Sequence, residues 1–466
     1  KKKTLLLARD MFGKKPLYYF YDENIFVFAS ELKALSKIQN FSKKINKEAL
    51  ENYFLFQYIP APLTIYKNVK KLKPGNCLTL NIKNMKKPIL TIQNYNKFEI
   101  KRKKNSYPYI HKLKTLKDLI ISAVEKRLLS DVPLGMFLSG GVDSSIIAAI
   151  ATKEIGVKIK SFSIGFSNTS ESEHKVAKQI SEHLGTEHHQ KLIDSKNLFD
   201  VKYIASMLDE PNGDSSCLPT FMLSKFAKKH VTVALSGDGG DEMFGGYNRY
   251  KDTLNEEINW ILKIYNFIKR RKFLSPSNRY LSSRSLIFNS LEVQNILGKS
   301  SLSFDKLLHN LEKRLNSNVH NLLDRMRQLD SEFYLPGAVL AKVDRMSMLS
   351  SLEVRCPLLD IKVSKYAEML SPEDLWKAPS YTKKILKDLA SEYLPKNWLE
   401  YPKKGFGIPQ NAWKQKDVIK LANDTLLHKK SILKNFTVED NFVQIIKSFE
   451  NKNNFSIYKI WPLLIL

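Results

Sequence analysis

The sequence predicts an α/β protein built on a parallel sheet, with a β-rich region before the sheet and a helical region after it. Short apolar stretches alternate with turns from Leu5 to Tyr95, which is typical of β structure. Apolar and amphipathic blocks then alternate between Met136 and Leu235, as in βαβ units. From about Asn255 onward almost every segment has a helical period, and we predict no strand there.

In the first region we predict strands at 15–20, 25–29 and 77–80, separated by turns such as Lys73-Pro-Gly-Asn. Between residues 97 and 109 the pattern dissolves into Lys, Arg, Asn, Ser and Pro, which is typical of a connection between domains. A helical period follows from His111. We therefore predict two domains, residues 1–105 and residues 106–466.

The central region supplies the elements of the parallel sheet. We predict strands at 136–138, 159–166 and 231–235, and helices at about 144–152, 171–184 and 219–229. His183, His188 and His189 lie where one helix ends and a strand starts, so we favour surface histidines over metal ligands.

Length and composition exclude several classes of protein. The 466 residues are about three times a 150-residue domain, and 43% hydrophobic residues exclude a disordered chain. The net charge of +28 comes from lysines spread between Lys1 and Lys459, so we predict a solvated basic surface and no nucleic-acid partner. Cys77, Cys217 and Cys356 form no CxxC pair, which fits a reducing cytoplasm, and no apolar stretch is long enough to span a membrane.

The strongest chemical signal is the loop Phe137-Leu-Ser-Gly-Gly-Val-Asp-Ser-Ser145, between a predicted strand and a predicted helix. Its two glycines permit a tight turn, its serines add hydroxyl donors, and the helix that follows presents its positive end to an anion. No GK[ST] follows the glycines, so this is not a Walker A loop. We predict a phosphate site, with Asp143 as a carboxylate suited to Mg²⁺.

A second loop of the same kind, Leu235-Ser-Gly-Asp-Gly-Gly-Asp-Glu242, also follows an apolar strand. Because parallel strands end at the same edge of a sheet, its carboxylates are expected beside the first loop, and carboxylates clustered near a phosphate site imply Mg²⁺ between them. A purely structural explanation is also open: each loop would be an ordinary serine- and glycine-rich turn, and Asp143 and Asp241 would cap the helices that follow.

Four motifs carry a resemblance to a known family. SGGVDSS is similar to the pyrophosphate-binding loop of the ATP pyrophosphatases, and with LSGDGGDEMFGGYNRY, AKVDRMSMLSSLEVRCPLLD and YPKKGFGIP it resembles the glutamine-dependent asparagine synthetase family. The resemblance implies an adenine nucleotide α-hydrolase-like parallel sheet with a helical C-terminal part. Residues 1–95 resemble the latter part of the family's glutaminase domain, which is an N-terminal nucleophile hydrolase.

The resemblance implies a cytoplasmic ligase of asparagine biosynthesis that uses ATP and Mg²⁺. ATP would activate aspartate as β-aspartyl-AMP, and ammonia, free or released from glutamine, would form the amide. Carried over by position, the nucleotide would lie against Phe137, Leu138, Ser139, Gly140, Gly141, Asp143, Ser144, Ser145, Ile164, Ser236 and Gly237. Asp143 and Asp241 would hold Mg²⁺. The catalytic residues implied are Lys403, Asp238, Glu353 and Arg345, although salt bridges explain Glu353 and Arg345 about as well.

Two features depart from the family pattern. The nucleophilic N-terminal cysteine of the glutaminases does not occur at Lys1, so we expect an N-terminally truncated chain that uses free ammonia. Asp238 and Gly240 stand where the family has glutamate and serine, and no arginine lies near Asp214 to bind an α-carboxylate. The alternative acceptor is therefore another carboxylate, such as a sugar acid in surface polysaccharide synthesis.

Two rival functions use the same loop. A tRNA-modifying ATP pyrophosphatase would put the basic charge to use, and a non-catalytic remnant would bind ATP without turning it over. The glutaminase-like region and the second loop argue against the former. The family's tendency to dimerise implies a homodimer.

Overall fold

The computed structural model describes residues 3–22, 25–38, 41–82, 89–100, 107–166, 173–193, 201–258, 280–281, 288, 290–298, 302–317, 320–377, 381–399, 414–428, 431–451 and 456–466. Its strands are β1 Thr4–Ala8, β2 Tyr18–Tyr21, β3 Phe26–Ala29, β4 Val69–Lys71, β5 Asn76–Asn81, β6 Ile89–Asn94, β7 Leu134–Phe137, β8 Lys160–Phe166, β9 Glu187–Ile193, β10 Val233–Leu235 and β11 Glu353–Arg355.

The helices before the long helical region are α1 Leu32–Leu35, α2 Lys47–Phe56, α3 Tyr109–Leu128, α4 Val142–Ala149, α5 Glu173–Leu184, α6 Val201–Met207, α7 Cys217–Ala227 and α8 Gly240–Phe244. Those that follow are α9 Asn248–Ile258, α10 Ser290–Leu297, α11 Leu302–Leu315, α12 Leu322–Leu329, α13 Leu340–Met348, α14 Ile361–Ala367, α15 Pro372–Leu375, α16 Lys384–Ala390, α17 Lys396–Leu399, α18 Gln415–Leu426, α19 Glu439–Ser448 and α20 Ile457–Ile465. Two π-helical segments, Ile150–Glu154 and Asp330–Val339, extend α4 and join α12 to α13.

A five-stranded parallel sheet in the order β11-β10-β7-β8-β9 forms the centre of the molecule. Leu235 on β10 pairs with Met136 on β7 and with Arg355 on β11, so these three strands end at one edge. The predicted α/β class and parallel sheet are confirmed. The strands alternate with helices, and such units place loops at the carboxyl edge of a sheet, where ligands bind.

The prediction of no strand after Asn255 is wrong, because β11 (Glu353–Arg355) joins the edge of the sheet. The strand has only three residues and lies between helical segments, so it leaves no alternating pattern that sequence periodicity can detect.

The N-terminal region holds two small antiparallel sheets, β1-β5-β6 and β3-β2-β4. Leu7, Tyr19 and Leu78 pack between them in a common core. The β-rich prediction is confirmed there, except that it missed helix α2 (Lys47–Phe56). Residues 49–56 are all buried, so α2 lacks the polar face that marks a helix in sequence.

The N-terminal region and the later region share cores. Leu50 and Phe54 of α2 belong to one hydrophobic core with Trp461 of the C-terminal helix α20, and Phe12 belongs to another core with Leu116 of α3. The Tyr53 hydroxyl donates to the carbonyl of Pro462 over 2.6 Å. The boundary predicted at residue 105 lies outside the described residues and stays a prediction.

Within the described part of the chain, no helix combines the length and the apolar character needed to cross a membrane.

His188 at the start of β9 is half-buried between two serines, not on the open surface. Its Nδ1 lies 2.8 Å from Ser161 Oγ and its Nε2 lies 3.0 Å from Ser163 Oγ. Burial, followed by the charge of His189, lowers the pKa of His188 to about 4. The fold therefore favours neutral His188, while the unfolded chain binds a proton near pH 6.5.

We expect the stabilisation from neutral His188 to be complete above pH 6.5 and to be lost as the pH falls toward 4. Thermal unfolding of the wild-type chain and of His188→Gln, measured at pH 7.5 and 4.5, tests this. The acid-induced fall in Tm should be smaller for His188→Gln by about 2–4 °C. The exposed His183→Gln serves as the control. An equal fall in all three proteins would contradict the prediction.

Candidate active site

The phosphate loop (residues 139–145) connects β7 to α4 at the carboxyl edge of the sheet. Gly140 adopts a φ of +83°, which favours glycine. The Ser144 hydroxyl accepts from the backbone N–H of Ser139 over 3.2 Å, and the Ser145 hydroxyl donates to the carbonyl of Gly141 over 2.8 Å. The loop therefore holds its hydroxyl groups in place around the first turn of α4, where backbone N–H groups and the helix dipole favour an anion.

The second loop (residues 236–242) follows β10 and touches the phosphate loop, as the parallel sheet predicted. A Cβ at Gly237 would lie 2.8 Å from Asp143 Cβ, and a Cβ at Gly240 would overlap the Asp143 carboxylate. Gly239 has a φ of +90°, and a Cβ there would overlap Leu359. The glycines thus allow the two loops to meet without a gap.

Lys383 joins the carboxylates of the two loops. Its Nζ forms an ion pair with Asp143 Oδ2 and lies 2.7 Å from Asp241 Oδ1. Its side chain is only 4% exposed. Burial lowers the pKa of Lys383, but the charges of Asp143 and Asp241 outweigh burial, so the pKa is raised and the ammonium stays charged. We call Asp143, Lys383 and Asp241 the charged triad.

The sequence analysis missed Lys383. It lies 240 residues from Asp143, immediately before α16, in a stretch without a recognised motif. Its φ of +56° is uncommon for a non-glycine residue, so the surrounding structure holds it in a strained conformation. Strain of this kind is typical of functional sites, but it is visible only in the structure.

The donor set at the charged triad fits Mg²⁺. Proteins bind Mg²⁺ through one or two carboxylates together with substrate phosphate oxygens and water, and Asp143 and Asp241 supply two carboxylates beside the phosphate loop. Among the described residues no three His, Cys, Asp or Glu side chains gather into a metal site. The protein thus offers part of a coordination sphere, which ATP phosphates would complete.

Two further carboxylates lie behind the triad. Asp238 accepts from the Ser236 hydroxyl over 2.6 Å, and burial raises its pKa. Glu242 accepts from the Tyr247 hydroxyl over 2.6 Å. Burial, with the charge of Asp241, raises the pKa of Glu242 to about 8. The second loop therefore combines one ion-paired carboxylate with two that burial makes less acidic.

Comparison with known proteins identifies the protein family to which the chain belongs. The asparagine synthase model matches residues 115–466, and the glutamine amidotransferase domain model matches residues 1–95. The chain belongs to the asparagine synthase family. It is an asparagine-synthetase-type carbon–nitrogen ligase, and the resemblance drawn from its four motifs is confirmed.

Relatives within the asparagine synthase family cover most of the chain. Asparagine synthetase [glutamine-hydrolyzing] 1 of Bacillus subtilis is 32% identical over 98% of this chain and 74% of its own length. The putative asparagine synthetase [glutamine-hydrolyzing] 2 of Methanocaldococcus jannaschii is 34% identical over 75% of this chain and 70% of its own length. Among solved structures, the NH3-dependent NAD synthetase of Campylobacter jejuni overlaps 48% of this chain and 93% of its own, with 13% identity and a TM-score of 0.25.

The other site residues carried over from the family fall into three places. Phe137 and Ile164 lie within β7 and β8, and Leu138 and Ser236 directly follow β7 and β10. Glu353 begins β11 and accepts from Arg355 Nε over 2.7 Å. Lys403 lies outside the described residues. The roles proposed for these residues stay predictions.

Arg345 on α13 faces the N-terminal region. Its guanidinium forms an ion pair with Asp209 and donates to the carbonyl of Ser30 over 2.8 Å. It also lines a cavity of about 360 Å³ between the N-terminal region and α13, together with Arg9 and Pro336. The structure thus does not bring Arg345 to the charged triad, and its described contacts fit the salt-bridge alternative.

Proposed function

We propose that this chain converts aspartate to asparagine by adenylating the β-carboxylate with ATP, releasing pyrophosphate, and passing the acyl group to ammonia. The charged triad beside the phosphate loop supports this proposal most strongly. Attack of a carboxylate oxygen on the α-phosphorus breaks the bond to the leaving pyrophosphate. Attack of ammonia on the acyl carbon then releases AMP, so the products are asparagine, AMP and pyrophosphate.

The phosphate loop would bind the leaving pyrophosphate. The hydroxyls of Ser139, Ser144 and Ser145 and the first backbone N–H groups of α4 would face the negative charge that develops on the departing oxygens. The buried ammonium of Lys383 adds a full positive charge beside them. Fixed donors and charges of this kind stabilise a transition state without reorganising when the reaction occurs.

Mg²⁺ would be held by Asp143 and Asp241 and, when bound, would neutralise phosphate charge. Lys383 keeps the two carboxylates in position before the nucleotide arrives. Without the Lys383 ammonium beside both of them, the two carboxylates would repel each other.

The nitrogen donor is ammonia, supplied free or from glutamine. The match of residues 1–95 to a glutamine amidotransferase domain and the names of the relatives support glutamine as a source for this family. The three free cysteines suit a reducing cytoplasm, where we place the reaction.

The test measures AMP and pyrophosphate formed from Mg·ATP by the purified chain. We expect both products, with asparagine, from aspartate plus ammonium. Parallel reactions contain aspartate plus glutamine, or ammonium plus sugar acids and other carboxylates. AMP formed only with another carboxylate would retain adenylation and overturn the choice of aspartate. No AMP with any acceptor would contradict the proposed function.

A further inference from the structure

A largely buried lysine, Lys342, lies beside the loop where sequence analysis found no arginine for the α-carboxylate of the acceptor. Lys342 on α13 (Leu340–Met348) places its Nζ 3.0 Å from Asp214 Oδ2 and 2.7 Å from Ser216 Oγ. Asp214 precedes α7 (Cys217–Ala227), and α13 packs along α7. The cation thus comes from a helix 128 residues farther along the chain than the acidic loop it meets.

The Lys342 ammonium is charged and has a donor to spare. Burial lowers the pKa of Lys342, but the negative charges around it, that of Asp214 foremost, outweigh burial, so the pKa is raised. A lysine ammonium has three N–H donors. Asp214 and Ser216 accept hydrogen bonds from two of these N–H groups, and no residue that the structure describes accepts from the third.

Lys342 also lies near the nucleotide end of the site. Asp238, in the second loop, is close enough for its charge to act on Lys342 and on Asp241 of the charged triad. Lys342 and Asp238 therefore bring opposite charges to the same end of the site, with Asp238 bonded to Ser236 and Lys342 bonded to Asp214. The side chains of Lys342 and Asp214 keep 12% and 24% of their surface exposed. Asn212 and Ala341, close to them in sequence, line the 360 Å³ cavity.

We infer that Lys342 binds the α-carboxylate of the acceptor and that Asp238 binds its α-ammonium group, which makes the acceptor an amino acid. This inference rests on the proposed function and names the contacts that select its substrate. Asp214 and Ser216 position Lys342 by holding two of its three N–H groups. A sugar acid has no ammonium group for Asp238, so the pair of charges excludes that acceptor class.

The test compares acceptors that each lack one charge. Aspartate α-amide keeps the β-carboxylate but has no α-carboxylate, and succinate has no ammonium group. AMP formation is measured with aspartate and with both analogues, for the wild-type chain, Lys342→Gln and Asp238→Asn. Lys112→Gln, which removes another buried ion-paired lysine, is the matched control.

We expect Lys342→Gln to raise the KM for aspartate about 30- to 100-fold and to leave the KM for ATP within about threefold. With aspartate α-amide the difference between Lys342→Gln and the wild-type chain should disappear. Asp238→Asn should raise the KM for aspartate and leave that for succinate unchanged. Lys112→Gln should change neither KM.

Equal increases for aspartate and its α-amide would overturn the role of Lys342. AMP formed by the wild-type chain only with acids that lack an amino group would overturn the inference and leave adenylation intact. If Lys342→Gln does not fold, Lys342→Met/Asp214→Asn removes both partners of the ion pair and takes its place. If the wild-type chain forms no AMP at all, the proposed function fails. In that case, calorimetry of aspartate and aspartate α-amide binding to the same variants tests whether Lys342 binds the α-carboxylate. Equal affinity of the wild-type chain for the two ligands would overturn this role of Lys342.

Discussion

Replacing Lys383 with methionine is expected to lower the rate of AMP formation by about 10²- to 10³-fold, which is the usual effect of removing one fixed electrostatic group from an active site. Methionine has nearly the same length and no charge. The carboxylates of Asp143 and Asp241, whose side chains are only 18% and 17% exposed, would lose the cation that they share and would repel each other. Both the phosphate site and the proposed magnesium ligands would be disturbed.

Lys384→Met is the matched control for Lys383→Met. Lys384 is the next residue, but its Nζ lies 3.4 Å from Asp388 and over the ring of Tyr109, away from the charged triad. Steady-state AMP formation and thermal unfolding should be measured for both variants. Lys383→Met should also be destabilised by about 3–5 kcal/mol, because it removes the cationic partner from a largely buried ion-pair cluster. Full activity in a folded Lys383→Met protein would show that the triad has no part in the reaction.

Gly246→Ala is expected to reduce AMP formation by about 10²-fold or more without removing any functional group. A Cβ at Gly246 would overlap Lys383 Cε and Asp241 Oδ1, and it would lie 2.8 Å from Lys383 Nζ. Neither side chain can move aside without breaking the ion pair between them. The new methyl group therefore separates Lys383 from Asp241, and overpacking should cost about 1–3 kcal/mol in the free energy of unfolding.

Gly185→Ala separates this effect from general strain. Gly185 lies before β9, at the opposite edge of the sheet, and has a φ of +73° with open space around the added Cβ. That variant should lose about 1 kcal/mol of stability and keep its activity. AMP formation and urea unfolding of both alanine variants provide the comparison. Equal activity in both would mean that the space at Gly246 is not needed.

The meeting of the two glycine-rich loops could be predicted because a general rule connects sequence to space. Each loop follows an apolar strand, and parallel strands end together, so Asp143 and Asp241 had to be neighbours. No such rule locates Lys383, which reaches both carboxylates from a segment 240 residues after the phosphate loop. Its position depends on how α16 packs on α4, and tertiary packing leaves no local pattern.

The position of Lys342 could not be predicted from the sequence for a different reason. It stands within the AKVDRMSM motif, next to residues that sequence analysis did select, yet lysine in a helical pattern is usually solvated. Only the packing of α13 on α7 reveals that Lys342 meets Asp214. Helix α2 and strand β11 were missed for local reasons: the helix is buried on all sides and the strand is three residues long.

The contact between α2 and α20 also constrains the order of events during synthesis. The Tyr53 hydroxyl bonds the carbonyl of Pro462, 409 residues later, and Leu50 and Phe54 share a core with Trp461. The contacts of those side chains with α20 cannot form until residues 457–465 have left the ribosome, which takes about 20–80 s after α2 at 5–20 residues per second. For that time the newly made N-terminal region exposes apolar surface that other chains or chaperones can bind.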